Sequence, residues 1–144
     1  MPVTLQSDDE TLPLTIAEVE ALWAGVRAER DFDDDIVTVR CVALDESRQL
    51  KRDYLAQDEA TNVLTFSYED GSHDIALCFP IAEQEAQERG VVLREYVALL
   101  LAHAFLHAAG MDHATPAEKQ AMEAAELRVL TAAGFLADSL LKEN

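Results

Sequence analysis

Apolar and polar positions along the 144 residues alternate with two periods, and the switches between them predict the elements. Val3–Gln6 reads as a short first strand. Ile16, Val19, Leu22, Trp23 and Val26 then recur at helical spacing up to about Arg30, and Thr15 with Glu18 three residues on is a reciprocal capping pattern. After an acidic loop, Asp31–Asp35, the run Ile36–Leu44 is dense in branched apolar residues and predicts a well-buried strand. Asp45 opens a second helix through about Leu55. Thr61–Tyr68 and Asp74–Phe79 are strand-like stretches separated by the turn residues Glu69–Ser72, which predicts a hairpin. Pro80 suits the first turn of a third helix, stopped by Gly90 after Arg89. A fourth helix starts near Leu93. A fifth is marked by Thr115, Pro116 and Glu118, runs to about Ala133 and ends at Gly134. This order predicts a mixed sheet with about five helices packed on it.

The fourth helix carries the chemistry. From Tyr96 to Ala109 it reads YVALLLAHAFLHAA, apolar on every face except at two histidines. A helix of that kind is buried, and each unpartnered imidazole inside it would cost about 1–3 kcal/mol. His103 and His107 stand four apart, so they project from one face and can grip one ion. Gly110 follows where a helix ends in a left-handed residue, and the chain can then turn back to offer His113. Three imidazoles with an open fourth position are the usual form of a catalytic zinc site. The alternative is a pair of core histidines satisfied by other polar groups.

Composition narrows the classes. The length suits one domain spanning residues 1–144, and nearly half the residues are apolar, which excludes disordered and fibrous chains. The N-terminal stretch MPVTLQSDDE, polar and acidic, gives no expectation of a secretory leader, and the longest apolar run is too short to span a bilayer. A cytoplasmic protein with no membrane partner is expected. Cys41 and Cys78 lie in strand-like stretches without a CxxC pairing and read as buried reduced thiols. Eleven basic against 28 acidic residues give a net charge of −17, which repels phosphate backbones at long range. The one basic grouping is Arg40, Arg48, Lys51 and Arg52, interleaved with acids.

The spacing H-x-x-x-H-x-x-G-x-x-H is shared with the metzincin proteases, which carry a general-base glutamate directly after the first histidine. Here that position is Ala104, so a peptidase of this type would lack its base. An ion alone still acidifies water and polarises phosphoryl oxygens, which favours phosphodiester chemistry with ion-activated water as nucleophile. Asp112 has two readings, an acceptor that orients a ligand imidazole or a turn-capping aspartate. Glu123 and Glu126 read as an exposed helix face.

Two motifs carry a resemblance. Residues 103–113, HAFLHAAGMDH, resemble the H-G-x-L-H-L-x-G-Y-D-H hallmark of the YbeY-type endoribonucleases of ribosomal RNA maturation, and Thr61–Phe66 (TNVLTF) resembles their T-[DN]-V-L-S-F. Ser72–Ile75 (SHDI) echoes their L-G-D-[IL], and the likeness runs from about Ile36 to Gly134. The resemblance implies a compact α+β domain with a four-stranded sheet, three strands parallel and one antiparallel, with a metal cleft at one end. It also implies a single Zn2+ held by His103, His107 and His113, and single-strand-directed cleavage in ribosomal RNA processing and ribosome quality control. The small ribosomal subunit is the implied partner.

One departure bears on the substrate. The family places an RNA-phosphate-binding arginine six residues before T-[DN]-V-L, where this chain has Leu55 followed by AQDE. Losing a bidentate phosphate donor leaves the metal ligands intact. Arg52, three residues earlier on the same predicted helix, and His73, where the family has glycine, are the candidate substitutes. Two other functions stay open. One is a ribosome-associated metal-binding factor with weak or no nuclease activity, whose acidic surface binds a basic ribosomal protein. The other is a small metallohydrolase acting on another phosphoester.

Overall fold

A computed structural model describes residues 3–7, 12–30 and 35–135. Among them the elements run β1 (Val3–Ser7), α1 (Ile16–Glu29), β2 (Ile36–Val42), α2 (Leu44–Leu55), β3 (Val63–Ser67), β4 (Ser72–Cys78), α3 (Phe79–Arg89), α4 (Leu93–Ala108) and α5 (Pro116–Ala132). The predicted acidic loop lies outside the described residues except for Asp35. Both predicted capping boxes form: Thr15 and Thr115 each accept from the backbone of a glutamate three residues on, whose carboxylate accepts from the threonine's own N–H.

The sheet order is β1-β2-β4-β3, with β1, β2 and β4 parallel and β3 antiparallel to β4. This is the expected α+β architecture. Gly71 makes the hairpin turn at φ 85°, a conformation that side chains rarely adopt, and a Cβ there would meet Asp35 Oδ1 at 2.8 Å. One sheet face (Val37, Val39, Ile75, Leu77) joins α1, α4 and α5 in the main core, where Trp23 packs edge-on against Phe105 at 5.0 Å between centroids. The other face carries a smaller cluster, Val42, Leu64, Ala76 and Cys78, with Leu50 of α2 packed against it. Cys41 and Cys78 are both buried, and burial pushes the Cys78 thiol up.

The all-round apolar character of α4 has a direct cause. The helix touches α1, α3, α5 and β3, so each of its faces meets protein, and residues 96–102 are buried without interruption. No single helix among the described residues is long and apolar enough to cross a membrane.

Element ends differ from the sequence expectations for one physical reason, partner availability. β2 was expected to reach Leu44 but stops at Val42, whose partner Cys78 is the last ladder residue before α3 begins. Leu44, half exposed, starts α2 instead. β3 was expected from Thr61, but Thr61 is bound at both backbone groups by the buried Ser47 hydroxyl, at 3.0 Å each, and the ladder begins at Val63.

Tyr96 of α4 donates to Glu85 Oε1 at 2.7 Å, and Asn62 Nδ2 donates to the same oxygen at 2.9 Å. Burial, reinforced by that carboxylate, pushes the phenol from the ordinary 10 up to about 12. Between these values the unfolded chain has released the proton while the folded chain keeps it. The contribution to stability is therefore complete below pH 10 and is lost as pH rises through about 12. Denaturant midpoints should fall more steeply over that window for the parent protein than for Tyr96→Phe; parallel curves would refute this.

Candidate metal centre

The three clustered histidines converge. His103 and His107 project from the exposed end of α4, and its last turn is closed by bonds from Gly110 N to His107 O (2.9 Å) and Met111 N to Leu106 O (3.0 Å). Gly110, at φ 94°, reverses the chain so that His113 returns over the other two rings. Ring centroids are 4.6, 4.9 and 5.5 Å apart, and one nitrogen from each ring lies within 4.8 Å of the others.

This donor set fits a small divalent cation. His103 Nε2 and His107 Nε2 stand 3.1 Å apart, close to the roughly 3.3 Å expected for two nitrogens bonded tetrahedrally at about 2.0–2.1 Å. Burial, and then the neighbouring His103 and His113, hold His107 below the ordinary histidine range, which favours the neutral ligand form. His103 Nδ1 lies 2.5 Å from Glu126 Oε2. With its Nδ1 proton donated to that carboxylate, His103 turns the lone pair of Nε2 toward the other two rings.

Glu126 was expected on an exposed face and is instead 5% exposed. The signal was present in the sequence: Met122, Ala125, Val129 and Leu130 surround it at helical spacing, so position 126 falls on the buried stripe of α5. Glu123 lies beside it, with Lys119, in a neighbouring cavity behind His103 and His113. Asp112 accepts from the backbone N–H of His113 at 2.7 Å, so it fixes the turn rather than an imidazole.

The histidines face an open cleft of about 780 Å³ whose wall is the segment 61–65, so the two sequence motifs meet across it. Leu55 and Lys51 of α2 complete that wall. Two candidates do not reach it. His73 is buried with its ring nitrogens 2.8 Å from Asp35 and Ser67, because its position on β4 aims it at the core beside Trp23. Arg52 bonds Asp58 from Nε and Nη2, at 3.2 and 2.7 Å, and is absent from the cleft lining. Each member of the sequence's one basic grouping is matched with an acid: Arg40 with Glu46, Arg48 and Arg52 with Asp58, Lys51 with Glu59. Lys51 reaches the cleft; sequence reasoning named it only as one of four residues in that grouping, because charges interleaved along a helix carry no signal of which one faces a site.

The comparisons agree in one direction. The family profile described as Endoribonuclease YbeY matches residues 6–134. Endoribonuclease YbeY of Methylibium petroleiphilum is 50% identical over 113 residues, which cover 76% of this chain and 75% of that protein. Endoribonuclease YbeY of Ralstonia nicotianae is 41% identical over 143 residues, covering 87% and 76%. Among solved structures, the solution structure of TM1509 from Thermotoga maritima superposes with a TM-score of 0.64 at 26% identity, spanning 90% of this chain and 89% of that one.

Proposed function

The chain belongs to the YbeY endoribonuclease family, and from that premise we propose that it is a zinc-dependent enzyme cutting single-stranded ribosomal RNA in maturation and quality control. It acts in the cytoplasm on RNA of the small ribosomal subunit. His103, His107 and His113 are the metal ligands and Glu126 orients His103.

One observation carries the choice of a phosphodiester substrate. The chain has 28 acidic residues, yet the described lining of the cleft contains no carboxylate. A polyanion repelled by the rest of the surface meets on that wall histidines, hydroxyls, an amide, apolar groups and one lysine, while Glu123 and Glu126 line the adjoining cavity that shares His103 and His113. A bound zinc ion supplies Lewis acidity and positive charge where charge develops on the phosphoryl oxygens, and it acidifies water. Around it, Thr61, Thr65 and Ser67 present neutral hydroxyl-bearing side chains at the wall, and Glu85 with Tyr96 holds the Asn62 amide in place.

The test is removal of the metal. Protein incubated with single-stranded ribosomal RNA should cut it, lose the activity on chelation, and regain it with added Zn2+. Cleavage that persists in verified metal-free protein would overturn the reading. The acidic exterior favours a second reading, a ribosome-associated factor that docks a basic ribosomal protein. It predicts no cleavage in the same assay, even at full metal occupancy.

A further inference from the structure

Lys51 is the one fixed cation in the described lining of the metal cleft. It sits on α2 one turn before Leu55, its side chain only 15% exposed, so the stem lies against protein and the ammonium is presented at the wall. That ammonium is occupied: Nζ lies 3.3 Å from Glu59 Oε1, and the Glu59 side chain is 66% exposed. The neighbouring Asp58 takes Arg48 at 2.7 and 3.1 Å and Arg52 at 2.7 Å.

The backbone explains why these acids return to the helix. Ala56 ends α2 in the left-handed conformation, φ 56°, with its N–H bonded back to Arg52 O, and Gln57 N bonds Lys51 O at 3.3 Å. The chain reverses at once and folds Asp58 and Glu59 over the basic residues of the preceding turns. Pairs whose acid is more than half exposed, as Asp58 and Glu59 are, add little stability and exchange readily. A carboxylate and a phosphodiester offer an ammonium the same chemistry, anionic oxygens that accept charge-assisted hydrogen bonds. Lys119 lies instead in the adjoining cavity, which shares His103 and His113 and also holds Glu123 and Glu126.

We propose that Lys51 binds a backbone phosphate of the RNA in this cleft, and that Glu59 is an internal substitute for that phosphate, displaced when RNA enters. The proposal rests on the ribonuclease reading for its ligand. It gives Lys51 and Glu59 opposite roles, whereas a pair that merely ties the loop to α2 would be weakened alike by losing either partner.

The test is the sign of two substitutions. Full-length, zinc-loaded protein is titrated into a labelled single-stranded 2′-O-methyl oligoribonucleotide, which is followed by fluorescence anisotropy across a salt series. Lys51→Met keeps the stem and removes the charge. It should lower affinity about fivefold at low salt and flatten the log–log salt dependence by about 0.7, the increment for one phosphate on a single strand. Lys51→Arg should keep most of the affinity. Glu59→Gln should tighten binding about two- to threefold by removing the internal competitor, beyond the effect of Glu83→Gln, which makes the same charge change on an exposed site outside the cleft lining.

Shifts of the same sign from Lys51→Met and Glu59→Gln, or unchanged affinity and salt slope in both, would overturn the proposal, as would no binding by any of the proteins. If Lys51→Met fails to fold in a thermal melt, Glu59→Gln decides alone, because loss of a simple tie leaves affinity equal or lower. Cleavage of ordinary RNA is measured separately. Its absence sinks the nuclease reading without touching the affinities, and its presence beside unchanged affinities sinks only the role given to Lys51.

Discussion

Replacing His107 with alanine is expected to empty the metal centre and lower RNA cleavage by at least about 100-fold, above the range for loss of an orienting partner alone. The ring supplies one of three converging nitrogens, its Nε2 standing 3.1 Å from that of His103. His103 on α4 and His113 beyond the Gly110 reversal still make a pair, but they no longer enclose a cation from three sides. His107 sits near the open end of α4 and is only half-buried, so the substitution should leave the core intact. Elemental analysis and cleavage rate are the paired measurements. Stoichiometric zinc together with parental cleavage in the variant would refute the ligand assignment.

Glu126→Ala is expected to weaken metal binding about 10–100-fold without a matching loss of metal-free stability. The carboxylate is buried and close to His103 Nδ1. Removing it leaves the imidazole free to change tautomer and to swing, so Nε2 no longer faces the ion reliably. The proposed role of Glu126 is positioning, and the readout that separates this from a packing role is metal affinity at constant melting temperature of the chelated protein. Glu126→Gln, whose amide oxygen can still accept the Nδ1 proton, should recover part of the affinity. If alanine and glutamine variants bind zinc as tightly as the parent, the orienting role is refuted.

What was legible in the sequence was local. The capping boxes at Thr15 and Thr115, the left-handed glycines at Gly71, Gly90 and Gly110, and the histidine pair on α4 all follow from neighbours a few residues apart. Such signals survive without knowledge of the fold. Partnerships across the chain were not legible. Glu126 could be placed on a buried stripe by spacing, but only the packing of α5 on α4 brings it to His103, 23 residues away. Arg52 was a candidate because it lies near the missing arginine in sequence, and His73 because it stands where the family has glycine. The acid that each meets, Asp58 and Asp35, decides where the side chain goes. The reversal at Ala56 carries no residue-type signal at all, since alanine is not a usual left-handed residue. That is why the link between Lys51 and Glu59 could not be anticipated.

The enclosure of α4 on every side has a consequence for how such a protein can diversify. Two of its three candidate metal donors grow from the helix whose displacement would dismantle the whole hydrophobic interior, so the reactive floor is effectively a fixed casting. On the rim opposite, the side chains of the short reversal after α2 meet that helix through exchangeable surface charges. Taste for one RNA or another can be rewritten there, residue by residue, while the chemistry beneath stays as it is.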